Sequence, residues 1–330
     1  MKALDSAAQP IHPMTTATKY TALLFLLSAC LLSCQSEAQQ KVLNGFRIQK
    51  PTVPAEEIRV GNPRRDGIPA IDRAQFITAE EVDFLSPDDP VIGVEINGEA
   101  KAYPLKILTW HEIVNDSLGG RAVVITYCPL CRSAYVFDRQ VGEQVLDFGV
   151  SGLLYNSNVI MYDRQTESLW SQMAEEAIDG QMREARLRQI AAATSTSWQQ
   201  WLSQHPDTQV LSKNTGYRRN YERSPYGDYA QSRDIMFPMT AASDRFNPKT
   251  LVAGIEVNGR FKAYPLPELE KAGENPMQDE FAGKILIVRF DEEARSVRVT
   301  DRRSNPIPTN VLYWFAWYAF HPDTEVFSED

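Results

Sequence analysis

Four cysteines and four histidines in 330 residues leave little material for metal or thiol chemistry, so the position of each matters. No cluster of Lys and Arg stands against the net charge of −9, which argues against a nucleic-acid partner. No glycine-rich loop of the phosphate-cradling kind is present, which argues against a nucleotide cofactor. Long apolar runs are missing beyond the N-terminus. The longest, "VLYWFAWYAF" at 311–320, has ten residues, half of what a membrane-spanning helix needs. The apolar fraction of 43% suffices for a core, in one large domain or two modest ones.

The N-terminus holds two of the cysteines. "KYTALLFLLSACLLSC" places Lys19 before an apolar stretch that ends in small residues, a signal-peptide layout. Cys30 and Cys34 both stand where a bacterial lipobox has its lipid-bearing cysteine. Cys34 is preferred because the polar "QSEAQQ" follows it, and Cys30 is the alternative. A non-cleaved anchor is the plain competing reading. Asp5 and two prolines before Met14 are foreign to such a leader, so translation starts at Met1 or at Met14. The expectation is a signal peptide with lipobox over 1–34 and a tether and capping segment over 35–84. The mature protein is then exported and lipid-anchored in the cell envelope, periplasmic or on the outer surface.

Internal repetition organises the rest. "VIGVEINGEAKAYPL" (91–105) matches "VAGIEVNGRFKAYPL" (252–266) at ten of fifteen positions, where unrelated sequence would give about one. "GGRAVVITYCPLCRSAYVFDR" (119–139) lies against "AGKILIVRFDEEARSVRVTDR" (282–302), and "WQQWLSQHPDTQV" (198–210) against "WFAWYAFHPDTEV" (314–326). The units expected are 85–212 and 245–330, joined by a surface connection over 213–244 that is rich in Tyr and Arg. Both units read as strands, with hairpin turns at Asn97-Gly98 and Asn258-Gly259. "LLYNSNVIMYDRQTESLW" adds a hairpin turning near Asp163-Arg164. Asp-Arg pairs at 138–139, 163–164 and 301–302 read as turns capped by an ion pair.

Thr78 to Glu81 form a capping box, and paired tryptophans at i, i+3 mark helices that His205-Pro206 and His321-Pro322 stop. The second of these helices lacks the glutamines of the first, so it is expected to be buried on more sides, against the other unit. The stretch 171–197 has no visible counterpart and reads as a helical or irregular insertion, with "EEAIDGQMREARLRQIAAA" its helical part. The fold class is mainly β (α+β), an internally duplicated unit with a few short helices.

A duplication is its own control. Features in both units serve the fold, so His205 and His321 read as structural. Features in one unit alone are candidates for function. Cys128 and Cys131, in "TYCPLC", face Asp291 and Ala294, while His111 and Glu112, in "LTWHEIVND", face "LEKAGEN". Two thiolates and an imidazole suit copper, or zinc, with Glu112, Met161 or Met173 as a fourth ligand. Against that, a lone C-x-x-C is a weak metal signal. A redox dithiol that exchanges with a protein partner is the second reading, with Arg132 favouring a thiolate. A structural disulfide in a scaffold lipoprotein is the third, although a ring so small removes little chain entropy. Whether the protein is an enzyme stays open. Ser151, within Gly149-Val150-Ser151-Gly152, lacks the spacing of a nucleophile elbow. Glu167, Ser168, Trp170 and Gln172 read as hairpin packing that could also line a pocket with the cysteines.

Together "AYPLKILTWHEIVND", "TYCPLC", "AYVFDR", "FGVSGLLYNSNVIMYDRQTESLWSQ" and "HPDT" resemble the bacterial domain-of-unknown-function family 3179, over most of 80–330. The resemblance implies an extracytoplasmic setting and no established activity. Members often carry Gly after the second cysteine, where this chain has Arg132.

Overall fold

The computed structural model describes residues 41–328. It starts with a hairpin of β1 (Lys41–Leu43) and β2 (Phe46–Ile48), then β3 (Arg59–Val60) and β4 (Phe76–Thr78). The stretch expected as a tether is therefore folded from Lys41 onward. Thr78 and Glu81 make the reciprocal cap, yet a single 3₁₀ turn follows, because Val82 returns to extended backbone.

The first unit opens with β5 (Pro90–Ile96), β6 (Glu99–Pro104), α1 (Leu105–His111), β7 (Ile113–Leu118), β8 (Arg121–Cys128) and β9 (Ser133–Asp138). An excursion follows through β10 (Gln140–Val141), β11 (Gln144–Val145), β12 (Phe148–Tyr155), β13 (Asn158–Asp163), β14 (Leu169–Ser171) and β15 (Glu176–Asp179). The unit closes with β16 (Gln189–Ala191), β17 (Thr194–Ser197), α2 (Trp198–Gln204) and β18 (Gln209–Leu211). From β19 (Leu251–Val257) the series recurs, through β20 (Arg260–Pro265), α3 (Leu266–Ala272), β21 (Met277–Phe281), β22 (Lys284–Asp291) and β23 (Ser296–Asp301). It ends in β24 (Pro306–Ile307), β25 (Thr309–Tyr313), α4 (Trp314–Phe320) and β26 (Glu325–Val326).

Sheet order repeats with the elements. The order β17-β5-β6-β18-β4 recurs as β25-β19-β20-β26, and β16-β9-β8-β7 recurs as β24-β23-β22-β21. In both units the last strand joins in parallel (β18 to β6, β26 to β20). Asn97-Gly98 and Asn258-Gly259 take positive φ and close the two hairpins as expected. The units meet crosswise, with β9 packed near β25 and β17 near β23.

The helical insertion expected over 171–197 is not helical. Unpaired sheet edges take it up instead, and Gly180 at φ 98° follows directly on β15. β15 pairs with β14, β16 with β9 and β17 with β5. Since β16 and β17 answer to β24 and β25, the excursion without counterpart is 139–188, where the second unit needs only 302–305. It forms its own sheet, β15-β14-β13-β12-β3. A turn does follow Asp163, and a second one at Asn156-Ser157 joins β12 to β13. The three Asp-Arg pairs carry no internal ion pair: Asp138 binds Arg121 and Arg188, and Arg164 binds Asp66 and Asp72.

α2 and α4 end where His205 and His321 follow, and these rings stack 3.9 Å from Trp201 and 3.8 Å from Phe261. Five residues of α4 are buried against two of α2. Asn156 of the first unit donates to Ala319 O at 3.2 Å, which meets the expectation that α4 packs against the other unit. No helix among the described residues is long and apolar enough to cross a membrane.

Candidate functional site

Strands β8 and β9 pair up to Cys128 and Ser133, leaving Pro129 to Arg132 as the loop. Arg132 closes it at φ 54°, the left-handed region where glycine is unstrained. The second unit bends in the same way between Asp291 and Ser296, with Arg295 at φ 51°. In that copy Asp291 accepts from Ala294 N at 2.8 Å and from Gln200 Nε2 at 3.0 Å. A thiol replaces this carboxylate in the first unit, and the loop is held from outside instead. Tyr229 Oη donates to Leu130 O at 3.1 Å, and Tyr313 N donates to Cys131 O at 3.0 Å.

Both sulfurs converge on one carbonyl, Ser157 O, at 3.9 Å from Cys128 Sγ and 3.3 Å from Cys131 Sγ. That carbonyl sits in the β12–β13 turn, whose Asn156 and Ser157 have φ of 50° and 64°. Cys128 is 2% exposed and Cys131 is closed off completely at 0%. Burial pushes the Cys131 thiol well above its ordinary range, with a hydrogen bond to Cys128 and the charge of Glu112 adding, against an opposing hydrogen bond from Asn158. Beneath the pair, Asn158 Nδ2 and Ser133 Oγ both donate to Gln172 Oε1, at 2.8 and 2.7 Å, and Gln172 Nε2 donates to Thr126 Oγ1 at 2.9 Å. Gln172 thus supports the loop. Trp170 turns away to Asp163 Oδ2 at 2.9 Å. No helix begins at Cys128, since β9 follows the loop, so the sulfur receives no helix dipole.

Cys128 faces a cavity of about 340 Å³ with Glu112, Tyr226, Trp110 and Arg219 on its walls and a largely aliphatic remainder. Glu112 follows α1 at φ 59°. Its counterpart after α3 is Gly273, at φ 65°, so the first unit places a side chain where the second keeps glycine. A left-handed non-glycine residue costs about 1 kcal/mol or more, and such positions gather at functional sites. The Glu112 carboxylate is 5% exposed and accepts from Tyr226 Oη at 2.6 Å. Burial raises its pKa to about 7, against the pull of Tyr226. A carboxylic acid poised near neutrality in the same cavity as a thiol can take up and return a proton.

His111 does not join this group. Its Nδ1 lies 2.8 Å from Pro69 O and its Nε2 2.8 Å from Tyr221 Oη. A carbonyl only accepts, so Nδ1 carries the proton and Nε2 accepts from Tyr221, which fixes a neutral tautomer. Burial lowers its pKa to about 4. The ring fastens the 213–244 connection to α1 and has no lone pair left for a metal. Met161 and Met173 are buried but do not line the cavity with Cys128. Among the described residues no group of three or more His, Cys, Asp and Glu is placed to hold a metal ion. Ser151 is buried in a bulge of β12, its hydroxyl donating to Ile160 O. Glu167 pairs with Arg65 at 2.9 Å, and Ser168 lies 2.7 Å from Thr166, both away from the sulfurs. Cys30 and Cys34 lie outside the described residues.

Tyr226 and Arg219 come from the connection between the units, which has neither helix nor strand and yet forms a cavity wall. Their signal in the sequence was the run of Tyr217, Tyr221, Tyr226 and Tyr229 in a segment expected to face solvent. No curated protein and no solved structure matches this chain. The family model described as "Protein of unknown function (DUF3179)" matches residues 65–324, which take in the loop of Cys128 and Cys131, Glu112, Tyr226, the first repeat unit and the second up to β26; the chain belongs to that family.

Proposed function

We propose that this protein performs thiol–disulfide exchange through Cys128 and Cys131, as an exported lipoprotein of the cell envelope. One observation carries the reading: a cavity-facing sulfur shares its cavity with an acid of near-neutral pKa, and a second sulfur of the same loop is closed off from it. Cys128 gives its proton to the Glu112 carboxylate, directly or through one water, and the thiolate attacks one sulfur of a substrate disulfide. The substrate bond breaks, and the leaving thiolate takes the proton back from Glu112. Cys131 then attacks Cys128 Sγ, with Glu112 accepting its proton. The second substrate thiol leaves with that proton, and two electrons have passed from protein to substrate. The chemistry runs backwards when the substrate is the better reductant.

Copper or zinc binding loses the imidazole it relied on, because both His111 nitrogens are engaged. Mass spectrometry after treatment with a small disulfide tests the exchange. The Cys131→Ser variant should retain a mixed disulfide on Cys128, and Cys128→Ser should retain almost none on Cys131. Equal labelling of the two variants, or thiols that stay silent while the protein is folded, refutes the proposal. One equivalent of bound metal that blocks both thiols assigns the pair to metal binding instead.

A further inference from the structure

The walls around Cys128 restrict what can reach it, and this inference rests on the exchange reading above. Cys128 is 2% exposed, so a disulfide must enter the cavity to meet it. Exchange needs the attacking, central and leaving sulfurs nearly in line. A disulfide on a folded partner would have to bring its backbone with it into a cavity whose walls include Asn62, Ile68, Pro225 and Phe237. A volume of about 340 Å³ is close to eleven times the share of one water in the liquid. That suits a ligand at the small end of the range for protein pockets. Leu130, Val150, Leu153, Leu154 and Val159 make most of the wall apolar.

The polar groups are unevenly placed. Glu112 and Tyr226 are paired to each other inside the cavity. Arg219 lies on an exposed part of the connection, with its guanidinium 5.8 Å from the Trp110 ring centre. Its one hydrogen bond among the described residues goes to Arg218 O at 3.2 Å, and no carboxylate there pairs with it. A cation free to pair therefore stands beside an apolar cavity that contains a thiol and an acid.

We propose that the site takes a small disulfide, or the matching thiol, with a mostly apolar body and one anionic group, the anion resting on Arg219. A folded protein disulfide is not its substrate. Glu112 disfavours an anion placed deeper, so the charged end stays at the rim and the sulfur end goes inward. Arg219 is a specificity residue and takes no part in proton or electron transfer.

The test compares three oxidants on the reduced full chain, with the Cys128→Ser/Cys131→Ser double variant subtracting other thiols. They are anionic dithiobis(nitrobenzoate), neutral dithiodipyridine and the disulfides of insulin. Each rate is divided by that of a free reference thiol. The anionic probe should lead the neutral one, and insulin should lag far behind both. Arg219→Gln should lower the anionic-to-neutral ratio by about 1.5-fold to fivefold, the range of an exposed ion pair, and Arg219→Lys should restore most of it. An unchanged ratio in Arg219→Gln, or insulin reacting as fast as the small probes, overturns the proposal and leaves the exchange reading intact. If no probe oxidises the folded protein while its denatured thiols react, exchange itself fails, and the substrate class with it.

Discussion

Replacing Glu112 with Gln should change how stability varies with pH. The carboxyl is 5% exposed and its pKa is raised from 4.5 to about 7 by burial. Below pH 4.5 it is protonated in folded and unfolded chains alike, and its charge costs nothing. As pH rises through 4.5 the unfolded chain ionises first, so the folded state loses ground until its own carboxyl ionises near 7. A gap of about two and a half pH units at 1.36 kcal/mol each comes to about 3 kcal/mol lost above pH 7. The histidines act in the opposite sense. Burial lowers His111 and His321 from 6.5 to about 4, so the unfolded chain holds the extra protons between those values and stability rises with pH across that window. In the wild type the two trends oppose each other between about pH 4.5 and 6.5. Gln keeps an oxygen for Tyr226 and removes the charge. The variant should match the wild type near pH 4 and exceed it by up to about 3 kcal/mol above pH 7. Urea unfolding followed by tryptophan fluorescence from pH 4 to 8.5 gives both curves. Parallel curves, or a variant that loses ground as pH rises, would refute the assignment of a buried, near-neutral acid.

Other expectations are simpler to check. A Cβ on Gly93 would lie 2.1 Å from the Trp201 ring, and one on Gly254 would lie 2.3 Å from Trp317. Both indoles are fixed by hydrogen bonds at 2.9 Å to Thr208 and Thr324. Ala at either glycine should therefore cost about 1–3 kcal/mol or more by overpacking, and a melting temperature that does not move contradicts this packing. His111→Ala takes the ring's hydrogen bond from Pro69 O and leaves Tyr221 Oη with Thr215 Oγ1 alone, a loss of about 1–3 kcal/mol. It should leave the metal content of the purified protein unchanged, and a loss of copper or zinc would restore the ring as a ligand. Asn158→Ala removes the hydrogen bond that favours the Cys131 thiolate, so its alkylation in partly opened protein should shift to higher pH. An unchanged pH profile removes Asn158 from the thiol's surroundings.

Local chemistry made much of the fold readable. Asn-Gly turns, tryptophans at i, i+3 before His-Pro, and the repeated "KAYPL" each act within a few residues, so pattern alone placed them. The 171–197 stretch failed because Ala, Glu and Arg favour helix locally, while open edges on β14, β9 and β5 decided the outcome from a distance. At the site, the absence of Cys128 and Cys131 from the second unit singled out the loop that the structure sets against a cavity. His111 shared that asymmetry for another reason, because the connection it anchors passes over the first unit. Glu112 was seen only as a spare ligand. Its stronger signal was Gly273 at the matching helix end, a glycine whose backbone geometry the first unit imposes on a carboxylate.

That correspondence means the molecule carries a template for its own silent form. Ala at 131 and Gly at 112 already stand at the equivalent places in the other half, as Ala294 and Gly273, each accommodated by the same turn or helix end. Asp291 is half-buried and held by Gln200 and Ala294, whereas position 128 is closed against Ser157 O, so Ser is the milder change there. Combining Cys128→Ser, Cys131→Ala and Glu112→Gly would remove both thiols and the buried acid while keeping the turn and the helix end. It offers a control in which loss of the proposed exchange need not be confused with lost folding.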